Sequence, residues 1–167
     1  MPAEALRQLE KVTNLYLSDF RMGRFDERRL TAIFDEGIPG EPGPAQTGSS
    51  VIDDILGPVS AIEVRPGSRR FTLRFDEYVS FKITDESQIR AEGPEATESH
   101  ASLFRENPSA VFLRHVKQGL HWEDDRIPLY HYCVVALNHV LEVVTSLPPD
   151  VEMQVLSPDD FPDASEA

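Results

Sequence analysis

An alternation of apolar and polar residues from Phe71 to Ile83 constrains the fold of this chain more than any other feature. Every odd position in this run except Glu77 is apolar, whereas none of the even positions is a purely apolar residue. A two-residue hairpin at 76–77 would place the apolar residues of its two arms on opposite faces. We therefore predict one long strand, bent or bulged near Asp76 and Glu77, whose apolar face is covered by helices.

Three other segments have the periodicity or the end signals of helices. The first begins near Pro2, although a strand that starts near Leu15 also fits its end. The second is predicted from Asp26, as N-cap, to Glu36, and the third from Asn107-Pro108 to about Gly119. Their apolar positions are Leu6, Leu9, Val12 and Tyr16 in the first, Leu30, Ile33 and Phe34 in the second, and Val111, Phe112, Val116 and Leu120 in the third.

The remaining apolar runs predict strands. Short strands are expected at 59–65 and 102–105, and a hairpin is expected from strands 129–137 and 140–145. The turn of this hairpin is placed at Asn138-His139, because Asn tolerates the positive φ of a type I′ turn. Hairpin-connected strands with helices beside them predict an α+β fold, a mostly antiparallel sheet with about three helices packed against it.

The length of 167 residues predicts a single domain, which we place at residues 1–156. Residues 37–50 are dense in Pro and Gly and are expected to form a flexible loop within this domain. Residues 157–167 are acidic and are expected to form a disordered tail.

The charge of the chain is strongly acidic and unevenly distributed. It has 16 Lys and Arg against 29 Asp and Glu, a formal net charge of −13, of which residues 85–167 carry −11. Such a surface repels phosphate backbones and anionic lipids, which argues against nucleic-acid and membrane-surface binding. Two interpretations remain open, a surface that only maintains solubility and a surface that attracts a basic protein partner.

The start of the chain and its cysteine content predict a cytoplasmic protein. The first residues carry early charges without an apolar segment of the signal-peptide type, and no apolar run approaches the ~18 residues of a membrane span. Cys133 is the single cysteine, so no internal disulfide can form, as is typical of reducing compartments.

Motifs of catalysis and cofactor binding are missing from the sequence. There is no Gly-rich phosphate loop, no Gly-x-Ser-x-Gly elbow and no His-Glu-x-x-His, so we predict no enzyme, no cofactor and no metal site. The rival hypothesis is a small enzyme with a cryptic site around His131, Cys133 and His139. His131 and Cys133 share one face of a strand at i, i+2, although a thiol between apolar neighbours is expected to be buried and inert.

Two groups of acidic residues are candidates for contact with a partner. Trp122 precedes three consecutive carboxylates, which is a pattern typical of an aromatic anchor surrounded by charges that pair with Lys or Arg. The alternative is a solvated loop. The complete set of predicted contact residues is Glu92, Glu95, Glu98, Trp122, Glu123, Asp124 and Asp125.

Three segments carry a resemblance to a known family. They are FDEYVSFKITDES at 75–87, AVFLRHV at 110–116 and HYCVVALNHVLEVV at 131–144, which is followed by Pro148-Pro149. Together they resemble small bacterial proteins that are encoded beside polymorphic toxins and are regarded as immunity proteins. The resemblance covers about residues 71–152 and implies an inhibitor of a cognate toxin, with no chemistry of its own. An adaptor that binds a peptide at an open sheet edge is a further alternative.

Overall fold

A computed structural model describes residues 2–24, 26–88, 102–120 and 127–161. The helices are α1 (Pro2–Leu9), α2 (Ser50–Leu56) and α3 (Val111–Gly119). The eight longer strands are β1 (Leu15–Met22), β2 (Arg29–Glu36), β7 (Arg69–Asp76), β8 (Tyr78–Asp85), β9 (Phe104–Glu106), β10 (Tyr130–Val135), β11 (His139–Thr145) and β12 (Asp150–Val155). The two-residue strands are β3 (Ile38–Pro39), β4 (Gly43–Pro44), β5 (Pro58–Val59) and β6 (Ile62–Glu63).

Two four-stranded antiparallel sheets face each other across the core. The first has the order β1-β2-β7-β12 and the second the order β8-β11-β10-β9. Alternate residues of each strand enter the shared core, as the two-residue repeat of a strand requires. The fully buried side chains include Leu30, Phe34, Phe71, Leu73 and Phe75 from the first sheet and Leu141 and Val143 from the second. Each such side chain contributes about 1.5–3 kcal/mol by leaving water. The α+β class with mostly antiparallel sheets and three helices is confirmed.

Each helix has a different position relative to the sheets. α1 packs against β12 and adds Ala5 and Leu9 to the core between the sheets. α3 lies on the outer face of the second sheet, where Leu113 and Val116 pack with Val144 of β11. α2 has no buried residue and lies between β4 and β5, whose short pair it connects. Among the described residues, no helix has the length and apolar character that a membrane span needs.

The alternation at 71–83 predicted the direction of most, but not all, of its apolar side chains, and it did not predict the path of the chain. β7 and β8 do not pair with each other, so the rejection of a hairpin is confirmed. The single long strand is wrong, because the chain passes from one sheet to the other at Glu77, whose φ is 61°. Phe71, Leu73, Phe75, Phe81 and Ile83 pack in the core between the sheets, which the facing sheet covers rather than helices. Val79 instead packs under α3 on the outer face, and Tyr78 packs against the core, where the pairing of β8 with β11 shifts register. A bent strand and a crossing between facing sheets therefore leave the same sequence pattern.

The predicted helix from Asp26 to Glu36 is wrong, because residues 29–36 form β2. Its buried residues are Leu30, Ala32 and Phe34, which alternate with outward-facing residues. Leu30, Ile33 and Phe34 fit a helical spacing, but they also fit a strand once Ala32 is counted as a core residue. The third helix of the fold is instead α2, within the chain that links β4 to β5.

The hairpin of β10 and β11 is confirmed, with its turn one residue earlier than predicted. Val135 pairs with Val140, and the Ala136 amide donates to the His139 carbonyl at 2.9 Å, which leaves Leu137-Asn138 as the loop. A type I′ turn is wrong, since neither loop residue has a positive φ. The Asn138 side chain instead forms two hydrogen bonds with the backbone of Leu17 in β1. Its Oδ1 accepts from the Leu17 amide at 2.9 Å, and its Nδ2 donates to the Leu17 carbonyl at 3.0 Å. This side chain ties the second sheet to the edge of the first.

The boundaries of the other elements differ modestly from prediction. α1 ends at Leu9 and β1 begins at Leu15, which confirms the alternative of a strand there. α3 begins at Val111, because the Asn107 side chain accepts from the Ser109 amide at 3.0 Å in a turn and does not cap the helix. The predicted strand at 102–105 corresponds to β9. The one at 59–65 contains only the end of β5 and the short β6.

Two predicted irregular segments contain local structure. Residues 37–50 include β3 and β4, which pair with β6 and β5 respectively. In the tail, Ser157 and Asp160 bond reciprocally around a short 3-10 turn at Pro158–Asp160. The strand β12 was not predicted, although Val151, Met153 and Val155 alternate with Glu152 and Gln154 in the pattern of a strand.

Candidate functional site

The predicted contact residues lie outside the described part of the chain. Glu92, Glu95 and Glu98 fall within 89–101, and Trp122, Glu123, Asp124 and Asp125 fall within 121–126. Their role therefore stays a prediction, supported by sequence alone.

The cryptic site predicted around His131, Cys133 and His139 is not assembled as a unit. His131 and Cys133 do share the outer face of the second sheet, where they pair with Val144 and Glu142. His139 lies at the opposite end of the hairpin, level with residue 136, about 17 Å along the strand from His131. Across the described ranges, no three His, Cys, Asp or Glu residues are grouped closely enough to hold a metal ion.

A polar cluster does occupy this face, beneath α3. The Nε2 atom of His131 is 3.2 Å from Oε1 of Glu142, and Lys82 forms an ion pair with the same carboxylate. Phe112 of α3 covers the cluster. Its ring meets that of His131 edge-on, with the two centroids 6.2 Å apart, and the Lys82 Nζ is 5.4 Å from the Phe112 centroid. The His131 side chain is only 2% exposed, so a substrate cannot reach it without displacement of α3.

The Glu142 carboxylate determines which ring nitrogen of His131 carries the hydrogen. Burial raises the pKa of Glu142, but hydrogen bonds from His131 and Lys82 outweigh this and hold that pKa below its usual value. The carboxylate is therefore ionised at neutral pH and only accepts, so Nε2 of His131 carries the proton. Nδ1 of His131 is buried and has no hydrogen-bond partner. This arrangement anchors the sheet face under α3, with His131 enclosed and Lys82 at its exposed edge.

Most cations of the first half of the chain are neutralised by neighbouring strands. Arg70 forms a bidentate ion pair with Asp35, with hydrogen bonds of 2.6 and 2.8 Å. Arg69 forms a similar pair with Glu36, with hydrogen bonds of 2.7 and 2.6 Å. Arg74 bonds to Asp150 at 2.7 Å. Eight of the 16 Lys and Arg residues form ion pairs with described carboxylates, namely Arg7, Arg21, Arg28, Arg29, Arg69, Arg70, Arg74 and Lys82.

A cavity of about 220 Å³ lies between α1, the edge strand β9 and the link from β11 to β12. Its wall includes Leu6 and Glu10 at the end of α1, and Pro148-Pro149 before β12. The other wall is formed by Phe104, Arg105 and Glu106 of β9 and by Tyr132 of β10. Sequence reasoning missed this site, because its residues are separated by more than a hundred positions and share no motif.

Aromatic packing shapes the inner end of this cavity. Tyr132 stacks on Phe104 with ring centroids 5.6 Å apart, and it also contacts Phe75 and Tyr130. Burial raises the pKa of Tyr132 to about 12, and the nearby Glu106 adds to the rise. The phenol is therefore protonated at neutral pH and can both donate and accept a hydrogen bond.

Comparison with protein-family models, with curated proteins and with solved structures gives no match to this chain.

Proposed function

We propose that this protein is a non-catalytic inhibitor, an immunity protein that binds a basic bacterial toxin and covers its active site. The observation that carries the proposal is the internal neutralisation of the protein's own cations. Because half of its Lys and Arg residues are engaged by neighbouring carboxylates, a partner meets a surface whose remaining charge is predominantly negative.

The distribution of the unpaired carboxylates supports an acidic face formed by the later part of the chain. Residues 85–167 contain 16 Asp and Glu against five Lys and Arg. Among the described residues of this part, Glu142, Asp150 and Glu152 take part in ion pairs with Lys or Arg, all with cations from the first half. The other described carboxylates of this part form no ion pair with a described Lys or Arg, which supports contact with a basic partner.

The mechanism that follows is electrostatic attraction followed by steric occlusion. Long-range attraction raises the association rate with a basic protein, and carboxylates then occupy the Lys and Arg side chains with which a toxin holds an anionic substrate. The two-sheet body keeps the substrate out. No bond is made or broken, which agrees with the buried His131 cluster.

A second candidate function is an adaptor that binds an extended peptide. One observation favours it, because β9 pairs only with β10 within the described structure, which leaves its other edge unpaired there. An open edge can accept a peptide as an additional strand. With three residues, however, β9 offers a short ladder, so the acidic surface carries the stronger proposal.

The proposal is tested by co-expression with the toxin encoded beside this gene. We expect co-expression to restore growth, and the purified proteins to bind with an affinity that falls steeply as salt increases. The triple variant E123K/D124K/D125K should weaken binding by about tenfold or more and flatten its salt dependence.

A matched variant separates the predicted contact residues from net charge. E27K/E41K/E63K makes the same change in charge at exposed residues of the first half that form no ion pair with described residues. We expect this control to bind nearly as well as the wild type. Failure of co-expression to restore growth overturns the proposed function, whereas equal loss in both triple variants overturns the assignment of 123–125 as the contact.

A further inference from the structure

The cavity beside α1 has the composition of a binding site rather than of a packing defect. Two aromatic rings, Phe104 and Tyr132, form its inner wall, and two carboxylates, Glu10 and Glu106, lie on its lining. A packing defect in a core is lined by apolar groups. At about 220 Å³, this cavity holds about seven water-sized groups, the number of non-hydrogen atoms in an arginine side chain.

The hydroxyl of Tyr132 has no hydrogen-bond partner in the described structure. Tyr132 is only 6% exposed, and its hydroxyl is not among the fully enclosed polar atoms that lack partners. The hydroxyl therefore keeps some exposure, and Tyr132 is one of the residues that line the cavity. A buried side chain that holds an unsatisfied polar group at a cavity indicates a ligand or an ordered solvent molecule there.

The charged groups at the cavity favour a cation. Neither Glu10 nor Glu106 forms a side-chain hydrogen bond or an ion pair with a described residue, so both carboxylates are open to a ligand. Arg105 also contributes to the lining, but it pairs with Cys133, whereas Phe104 and Glu106 pair with the core-facing Val134 and Tyr132. Because side chains alternate along a strand, the Arg105 Cβ points to the opposite face of β9 from these two residues, although the residue still reaches the lining. The lining therefore carries two carboxylates against one guanidinium.

We propose that this cavity binds an aliphatic cation, a guanidinium or ammonium group on a short alkyl chain. The chain lies along Leu6 and Pro149, and the cationic head donates to the Tyr132 hydroxyl and to the two carboxylates. Such a cation has two sources, a free alkyl cation or a Lys or Arg side chain of a partner. Only the second source rests on the proposed function.

The test is a titration of the full chain with n-butylguanidinium, followed by NMR and calorimetry, beside the neutral pentanamide. We expect n-butylguanidinium to shift the signals of Phe104 and Tyr132 and to bind about tenfold more tightly than pentanamide. E10Q/E106Q should weaken this binding by about tenfold, and Tyr132→Phe by about threefold, with the fold unchanged in its thermal unfolding.

A matched control and two failing outcomes make the test decisive. E41Q/E63Q removes the same charge at exposed residues that do not line the cavity and should bind n-butylguanidinium as the wild type does. Equal affinity for the cation and for pentanamide overturns the proposal, and so does wild-type affinity of E10Q/E106Q. The absence of binding by n-butylguanidinium also overturns it.

A further titration identifies the source of the cation. A short capped peptide with a central arginine is compared with n-butylguanidinium. Binding of the peptide at least as tight as that of the small molecule assigns the cavity to a protein partner, and binding of n-butylguanidinium alone assigns it to a free cation. Cation binding that survives when co-expression fails to restore growth would refute the proposed function while it leaves this site intact.

Discussion

At the scale of single residues, several charged side chains of the first sheet form ion pairs that are partly shielded from solvent. Asp35 shows this most clearly, because its carboxylate is 5% exposed and accepts bonds from Arg70 and from the Ser18 hydroxyl. Glu36 is held in the same way by Arg69, which also bonds to Gln8 of α1. Loss of the partner would leave a buried charge unpaired, which is strongly destabilising. A shift in the pairing of β2 with β7 would separate Asp35 from Arg70, so these pairs also favour the observed register.

Glu36 and Glu142 predict how stability depends on pH. Hydrogen bonds from Arg69 hold the pKa of Glu36 below the usual value of 4.5. Those from His131 and Lys82 do the same for the pKa of Glu142, against the opposing effect of burial. A carboxylate whose pKa is lower in the folded state stabilises the protein at pH values above its pKa in the unfolded state. This stabilisation is lost as the pH falls through its pKa in the folded state. We expect the free energy of unfolding in urea to fall as the pH decreases below 4.5.

The double variant E36Q/E142Q separates these two carboxylates from the others. It should be less stable than the wild type at pH 7, and its free energy of unfolding should change less as the pH falls below 4.5. Two parallel pH profiles would show that neither carboxylate contributes to the acid transition.

At the scale of elements, the crossing from β7 to β8 joins the two sheets. Glu77 has a φ of 61°, a conformation that non-glycine residues seldom adopt, and it separates the two strands by a single residue. Its carbonyl accepts from the Ser146 amide at 3.3 Å, next to the second crossing between sheets, from β11 to β12. The two crossings therefore support each other at one end of the fold.

Substitutions of Glu77 should reveal the cost of this backbone conformation. We expect E77V to lower the free energy of unfolding by about 1–3 kcal/mol, because a β-branched residue is strained at positive φ. E77G should remain within about 1 kcal/mol of the wild type, since glycine adopts this conformation freely. Both variants remove the exposed pair with Arg28, so their difference isolates the backbone. Equal stability of E77V and E77G in urea unfolding would contradict this account.

At the scale of the whole molecule, the formal charge of −13 makes the folded chain repel itself. Compaction brings carboxylates that have no cationic neighbour closer together, and this repulsion is screened by salt. The best-formed ion pairs, such as Arg70–Asp35 and Arg69–Glu36, are largely shielded from solvent and are weakened less by salt.

Added salt should therefore stabilise this protein. We expect the urea midpoint at pH 7 to rise as NaCl increases from about 20 to about 300 mM, because repulsion among the unpaired carboxylates is screened. The E27K/E41K/E63K variant, with less net negative charge, should show a smaller rise. A midpoint that falls with salt would mean that attractive pairs, rather than repulsion, dominate the charge interactions of the folded state.

Short-range pattern determined which faces are buried, and tertiary packing determined what covers them. Most odd positions from Phe71 to Ile83 share the interior between the sheets, although Val79 packs under α3, and the hairpin at 130–145 followed from two apolar runs around a short turn. Local spacing left 29–36 ambiguous, because Leu30 and Phe34 fit a helix and a strand alike, and pairing with β7 decided for the strand.

The cavity between Glu10, Glu106, Tyr132 and Pro149 belongs wholly to the tertiary structure. No local pattern brings these positions together, since their proximity depends on how two sheets and α1 stack. Charge, in contrast, is a sum over the sequence, so the acidic character was determined before folding. Folding decided which carboxylates form ion pairs with the protein's own arginines.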